Sequence, residues 1–129
     1  MSNRQITIAI DAMGGEDSPT KALKGIEIFS KKQPNVNLKI FGKKSLIANT
    51  LAQKKILLNN YELVDCEENV SDEDSANTIL RSRKNSSIYK GLMYVKNNPN
   101  SGFISAGNTA ALMILSRLIL GMIDGVNRP

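Results

Sequence analysis

Short apolar runs alternate along this chain with longer segments whose apolar residues recur at helical spacing. The runs at residues 6–10, 36–41, 61–66 and 102–105 have the length and composition of strands. Helical spacing follows the first, second and fourth of these runs, and it also covers residues 86–97. Strands that alternate with helices of this length form βαβ units with right-handed crossovers. The order therefore predicts one α/β domain with a mostly parallel sheet and helices on both faces.

Local signals set the expected helix boundaries. Ser18 followed by Pro19 is typical of a hydroxyl N-cap and the first helical position, and "KKQPN" should stop that helix. Ser45 is expected to start the second helix, with Leu46 and Ile47 facing inward. The polar, acidic residues 65–75 are interpreted as a loop, and the last helix is expected over residues 109–122.

Composition excludes several kinds of chemistry. The chain of 129 residues has no histidine, which rules out Ser-His-Asp and Cys-His catalysis within it. A single cysteine, Cys66, cannot form an internal disulfide, and we interpret it as a small buried side chain rather than a nucleophile. No signal peptide or membrane span is apparent, so we expect a cytoplasmic protein. The net charge of +5 favours anionic partners.

Two loops rich in small residues are expected at the carboxyl edge of the sheet. They are "DAMGGEDSP", after the first strand, and "SAGNTA", after the fourth. Ligands of parallel sheets bind at this edge, where glycine allows close approach and helix N-termini attract anions. The pattern is typical of a phosphate cradle. The alternative remains open at both loops, because paired glycines often form only a tight turn and Asn-Thr often forms only a helix cap.

A third cluster, "RSRKNSS" at residues 81–87, combines basic and hydroxyl side chains. Such residues can hold a phosphate or an acidic partner, although a solvated basic turn is the commoner meaning. Nucleotide motifs are absent: "MGGEDSP" lacks the G-x-G-x-x-G spacing and "GKKS" lacks the spacing of a P-loop. Nucleic-acid binding is not expected, since the basic residues are scattered and no aromatic platform accompanies them.

Three segments carry a resemblance to a known family. "IAIDAMGGEDSP", "RSRKNSSIYKGLMYVK" and "FISAGNTAALM" followed by "GVNRP" resemble, in order and spacing, the bacterial phosphate acyltransferases (PlsX) of phospholipid synthesis. The resemblance implies a Rossmann-like three-layer α/β/α fold related to isocitrate and isopropylmalate dehydrogenases. It also implies an enzyme that transfers a fatty acyl group from an acyl carrier protein thioester to inorganic phosphate, giving acyl phosphate.

The resemblance carries further expectations. Family members act as homodimers, associate peripherally with the membrane, supply a glycerol-3-phosphate acyltransferase and need no metal or organic cofactor. They are much longer than this chain, so residues 1–129 are expected to be an amino-terminal part. Two other function classes stay open, a non-catalytic anion-binding domain and a nucleotide-binding α/β domain.

Site roles follow from the resemblance together with the loop chemistry. Asp11 is expected to orient its loop, while Asn108 and Thr109 are expected to act on the oxyanion. The residues expected to bind phosphate or the rest of the substrate are Gly14, Gly15, Arg81, Lys84, Ser86, Ser105 and Gly107. No metal ligands are expected.

Overall fold

The computed structural model describes residues 5–127 as alternating strands and helices. In chain order the elements are β1 (Thr7–Asp11), α1 (Thr20–Lys32), β2 (Asn37–Gly42), α2 (Lys44–Gln53), β3 (Tyr61–Asp65), α3 (Ala76–Ser82), α4 (Ser87–Asn97), β4 (Ser101–Ile104) and α5 (Thr109–Leu120). The four strands form one parallel sheet in the order β3-β2-β1-β4. The predicted strands are confirmed to within one residue at each end.

Helices cover both faces of this sheet. On one face, Leu23 and Ile26 of α1 and Ile47 of α2 pack with Ile10 and Ile40 of the central strands. On the other face, α4 packs over Ala9, Phe41 and Cys66, and its outer side joins α3 and α5 in a second apolar cluster. The expected three-layer α/β/α arrangement is therefore confirmed.

One helix was not predicted. Residues 65–75 do form a connection, but α3 follows at Ala76–Ser82, where no helix was expected. Ser75 caps it, because its hydroxyl accepts a hydrogen bond from the Thr78 N–H at 3.2 Å. With only seven residues, α3 offers too little periodicity to be recognised, although Ala76 and Ile79 are buried at helical spacing.

Two expected helix starts were wrong. Ser18 is not an N-cap: α1 begins at Thr20 without a side-chain cap, and the Ser18 hydroxyl instead bonds the carbonyls of Gly14 and Gly15 at 2.9 and 2.8 Å. The second helix begins at Lys44, where the Lys44 N–H donates to the Asp65 carboxylate at 3.0 Å. Leu46, expected to face inward, is exposed, whereas Ile47 is buried as predicted. Tertiary contacts thus replaced the local cap in both cases.

The helices are too short or too polar to cross a bilayer. Within residues 5–127, none has the length and apolar content that a membrane span requires.

Candidate functional site

Asp11, the last residue of the central strand β1, organises the carboxyl edge of the sheet. Asp11 is only 6% exposed. One oxygen accepts hydrogen bonds from the N–H groups of Met13 and Gly14 at 3.0 and 3.1 Å and from the Ser87 hydroxyl at 2.5 Å. The other oxygen accepts from the Ser105 hydroxyl at 2.8 Å. This side chain therefore joins the turn after β1, the start of α4 and the end of β4.

The two glycine-containing turns are in direct contact. A Cβ atom added to Gly14 would lie 2.7 Å from the Gly107 nitrogen, so only glycine fits there without a shift of the backbone. The Gly107 N–H also donates to the Ser105 hydroxyl oxygen at 3.1 Å. Gly15 adopts a φ of 88°, a conformation that favours glycine. Both loops meet at one edge, as the sequence predicts.

A cleft of about 210 Å³ opens beside this contact. The first two residues of α4, Ser87 and Ile88, line it together with Asn108, which precedes α5. The first N–H groups of a helix lack intrahelical partners and carry partial positive charge. Two helix N-termini therefore converge on one cleft, which suits an anion.

Most of the expected glycine and serine residues surround this point. Gly14 and Gly107 line the cleft, while Ser105 lies behind it and bonds to Asp11. Gly15 and Thr109 line an adjoining hollow instead, together with Glu16 and Asp72. The turn after β1 and the start of α5 thus line the same polar hollow.

The side chain of Asn108 is a helix cap. Its Oδ1 accepts a hydrogen bond from the Ala111 N–H at 3.0 Å, at the start of α5. Its Nδ2 donates to the carbonyls of Ser71, Asp72 and Asp74 at 3.3, 3.3 and 2.8 Å. Of the two interpretations open from sequence, the cap is therefore observed, and the same amide also holds the loop before α3 against the cleft.

The basic cluster lies elsewhere. Arg81 and Lys84 are exposed and do not line the cleft. Ser86 is buried and caps α4: its hydroxyl accepts from the Tyr89 N–H at 3.3 Å and donates to the Arg83 carbonyl at 2.6 Å. Arg81, Lys84 and Ser86 are expected to face phosphate or the rest of the substrate; the first two lie outside the cleft, and the Ser86 hydroxyl turns back onto its own helix.

Ser87, Asn69 and Val70 are the cleft residues that sequence reasoning did not select. Ser87 directly follows Ser86, the N-cap of α4. The pair of serines in the sequence was therefore the signal that could have identified Ser87 as a cleft residue. Asn69 and Val70 reach the cleft because Glu68 pairs with Ser86 in an isolated bridge. No local sequence pattern predicts that contact.

Cys66 is buried, as predicted. Burial raises the pKa of its thiol from 9.0 to about 11, which outweighs the opposing effect of the Lys90 ammonium. The Lys90 Nζ donates to the Asp65 carbonyl at 2.9 Å. A thiol in this state is a poor nucleophile.

Residues 5–127 contain no group of three or more histidine, cysteine, aspartate or glutamate residues placed to hold a metal ion. The polar residues that line the cleft are Asp11, Asn69, Ser87 and Asn108.

Comparisons with known proteins agree with the resemblance in the sequence. The family model described as "Fatty acid synthesis protein" matches residues 6–129. Similar curated relatives are the phosphate acyltransferase of Caldicellulosiruptor bescii, 39% identical over 95% of this chain and 36% of the relative, and that of Ruegeria pomeroyi, 37% identical over 97% and 34%. The phosphate acyltransferase of Wolbachia pipientis wMel is 37% identical over 98% of this chain and 38% of the relative.

The chain thus spans about a third of the length of the relatives that it matches, with coverage of 36% for the first of them. It matches the family model along nearly its whole length, from residue 6 to residue 129. The chain belongs to the fatty acid synthesis protein family, and the relatives that it resembles are phosphate acyltransferases.

Proposed function

We propose that this chain supplies the phosphate-binding part of an acyltransferase that converts an acyl carrier protein thioester and inorganic phosphate into acyl phosphate. The names of the relatives support an acyl transfer to phosphate, and the family description supports a place in lipid biosynthesis. The resemblance in the sequence supports the carrier-bound thioester as acyl donor and phospholipid synthesis as the destination.

The observation that carries the proposal is the convergence of two helix N-termini and a glycine turn on one cleft. α4 begins at the cleft with Ser87, α5 begins directly after the cleft residue Asn108, and Gly14 adds no side chain that would obstruct a ligand. Unpartnered N–H groups and the helix dipole both favour a small anion. The net charge of +5 adds a long-range attraction for phosphate.

The chemistry needs no histidine, because phosphate is itself the nucleophile. One oxygen of monohydrogen phosphate bonds to the thioester carbonyl carbon, the carbon–sulfur bond breaks, and the proton of the phosphate passes to the departing sulfur, so that the carrier leaves as the thiol. The protein has to hold the two reactants together and donate hydrogen bonds to the oxyanion that forms. Backbone N–H groups at the cleft can fill both roles.

Asp11 acts as a positioning residue in this mechanism. Its two oxygens already accept four hydrogen bonds, so it is poorly placed to take a proton from phosphate. Ser87 donates to Asp11 and lines the cleft, which leaves the lone pairs of its hydroxyl oxygen available to accept a hydrogen bond from monohydrogen phosphate.

The proposal extends to the partners and the setting. The excess of positive charge suits docking of an acidic carrier protein, a contact that salt should weaken. The resemblance supports a homodimer, a cytoplasmic location with peripheral membrane association and delivery of product to a glycerol-3-phosphate acyltransferase.

Phosphorolysis tests the proposed reaction. Purified chain is incubated with a long-chain acyl carrier protein thioester and phosphate, acyl phosphate is trapped with hydroxylamine, and the shift in Tm with phosphate is measured in parallel. We expect a phosphate-dependent product and a rise in Tm. Ser87→Ala should lower the rate of product formation about tenfold or more and should also reduce the rise in Tm. Ser82→Ala, at an exposed position outside the cleft, should change neither the rate nor the rise in Tm.

Other results would favour the alternatives. A rise in Tm with phosphate but no product would indicate an anion-binding domain without chemistry. Stronger stabilisation by ATP or a dinucleotide than by phosphate would indicate a nucleotide-binding domain.

A further inference from the structure

One polar side chain of the cleft makes no hydrogen bond within the described fold. Four polar residues line this cavity: Asp11, Asn69, Ser87 and Asn108. Asn69 is exposed, and within residues 5–127 its amide has no hydrogen-bond partner. The carbonyl oxygen and the two N–H donors of that amide are therefore all available to a ligand.

The other three polar side chains of the cleft are already engaged. Asp11 accepts four hydrogen bonds, and a carboxylate has no proton to donate. Ser87 donates its hydroxyl proton to Asp11. Asn108 directs its Nδ2 group to three carbonyls of the loop before α3. Asn69 is thus the side chain of the lining that can still donate hydrogen bonds to a ligand.

The charges around the cleft favour such a donor. The described residues that line it include no lysine or arginine, whereas Asp11 carries a carboxylate. A bound anion must then be stabilised by N–H groups, and hydrogen bonds to a charged oxygen are stronger than those between neutral groups. The amide of Asn69 can supply two donors to this purpose.

Contacts on both sides hold Asn69 at the cleft. Before it, Glu68 pairs with Ser86 in a parallel bridge. The Glu68 N–H also donates to the Asn85 carbonyl at 3.1 Å, and its Oε1 accepts from the Asn85 N–H at 3.3 Å. After it, the Asn108 amide holds the carbonyls of residues 71, 72 and 74. Because the backbone is fixed on both sides, a ligand that binds Asn69 has little chain left to order.

We propose that Asn69 binds the phosphate in the cleft through hydrogen bonds from its Nδ2, and that Glu68 is the positioning residue that holds it there. The inference rests on the proposed function, because that function makes phosphate the ligand of the cleft. It gives a binding role to the connection between β3 and α3, which the sequence pattern predicts only as a polar loop.

Titration with inorganic phosphate tests this assignment. The Kd is measured by calorimetry with the 129-residue chain at constant ionic strength, with chloride as the anion that phosphate replaces, and the shift in Tm is followed in parallel. Asn69→Ala removes the amide, while Asn69→Asp keeps its shape but cannot donate. Asn100 provides the matched controls, because it is also exposed but directly precedes β4, at the opposite edge of the sheet.

Asn69→Ala should raise the Kd for phosphate about tenfold, the loss expected when a hydrogen bond to a charged oxygen is removed. Asn69→Asp should raise it to roughly a hundredfold, because its carboxylate also repels the anion. Asn100→Ala and Asn100→Asp should change the Kd by less than about twofold, since salt screens a distant charge. Without phosphate, Asn69→Ala should unfold at the same urea concentration as the unmodified chain, because it loses no hydrogen bond within residues 5–127.

The role of Glu68 has a distinctive sign. Removal of a negative charge near the cleft should by itself strengthen anion binding, whereas loss of the contact with Asn85 should weaken it. We expect Glu68→Ala to raise the Kd about threefold or more, but to have no such effect when Asn69 is already alanine. Glu68→Gln keeps an oxygen for the Asn85 N–H, so it should bind phosphate at least as tightly as the unmodified chain.

Three results would overturn the inference. A Kd that Asn69→Ala leaves unchanged would show that backbone amides alone hold the anion. Equal weakening by Asn69→Asp and Asn100→Asp would reduce the effect to overall charge. Weakening by Glu68→Ala that is the same with and without Asn69 would overturn the positioning role of Glu68.

Failure of this inference and failure of the reaction are distinguishable. Phosphate-dependent acyl phosphate formed by Asn69→Ala with an unchanged KM for phosphate would overturn the inference and leave the proposed function intact. Tighter phosphate binding by the unmodified chain than by Asn69→Ala, with no product from either, would support the inference and count against the reaction. If phosphate neither binds nor stabilises the unmodified chain, the phosphate site and the inference both fail.

Discussion

At the residue scale, Asp11 and Gly14 have complementary roles at the carboxyl edge. A buried carboxylate is costly unless it is well hydrogen-bonded, and the four donors around Asp11 meet that need. Gly14 lets the turn after β1 touch the turn after β4, since its missing Cβ is where the Gly107 backbone lies. The geometry of the cleft therefore depends on one carboxylate and one absent side chain.

Gly14→Ala should lower the free energy of unfolding by about 1–3 kcal/mol, because the new methyl group would press on backbone atoms that cannot move independently. Urea unfolding measures this change. Gly25→Ala serves as the control, and it should keep or raise stability by up to about 1 kcal/mol, since its Cβ meets open space. Equal stability of Gly14→Ala and the unmodified chain would contradict the close contact of the two turns.

Cys66 should make stability depend on pH in the alkaline range. Burial raises the pKa of its thiol from 9.0 to about 11, so the folded protein keeps a proton that the unfolded chain loses. The contribution of the protonated thiol to the free energy of unfolding is fully present below pH 9 and is lost as the pH rises through about 11.

The stability of the unmodified chain relative to Cys66→Ala should accordingly fall over this window. Denaturant unfolding of both proteins at several pH values measures the difference, and the comparison cancels the titration of lysine and tyrosine side chains. A difference that stays constant from pH 8 to about 11 would contradict the raised pKa.

At the scale of elements, the start of α5 depends on a single side chain. Asn108 both caps this helix and holds the carbonyls of the loop before α3. The loop has no strand or helix of its own between β3 and α3, so these bonds tie it to the rest of the fold.

Asn108→Ala should therefore cost about 1–2 kcal/mol of unfolding free energy and speed hydrogen exchange at the first turn of α5 and in residues 71–76. Asn108→Asp separates the two roles, because its oxygen can still cap α5 but it cannot donate to the loop. In that variant we expect faster exchange in the loop and near-normal exchange in α5. Identical exchange patterns in the two variants would show that the roles are not separable.

At the scale of the whole molecule, α5 exposes several large apolar side chains. Met113, Ile114 and Leu118 of α5 are each at least 45% exposed, and they lie on one face of the helix at spacings of one, four and five residues. β4 forms the neighbouring edge of the sheet. A row of exposed apolar side chains on one helix favours a contact site.

We expect the isolated chain to associate with itself through this face as its concentration increases. Light scattering across a concentration series should show a rising mean mass, and the double variant Ile114→Lys with Leu118→Lys should remain monomeric. Leu57→Lys is the matched control, because Leu57 is exposed between α2 and β3, far from α5. Equal association of the two lysine variants would assign the contact to another surface.

Much of the architecture could be predicted because its signals are local. Apolar runs of four to six residues identified all four strands, and helical spacing identified α1, α2, α4 and α5. α3 was missed because seven residues show too little of a period. The start of α1 was missed because the Ser18 hydroxyl bonds the preceding glycine turn, a preference that its own neighbours do not reveal.

The sequence by itself determined the order of elements, the parallel sheet, the meeting of two glycine loops at one edge and the family to which the chain belongs. Only the tertiary structure decided that Ser87 rather than Ser86 reaches Asp11 and that Arg81 and Lys84 lie outside the cleft. The reason is distance along the chain. Periodicity and turn chemistry act over a few residues, whereas Asp11 bonds to side chains 76 and 94 residues away, which packing alone brings together.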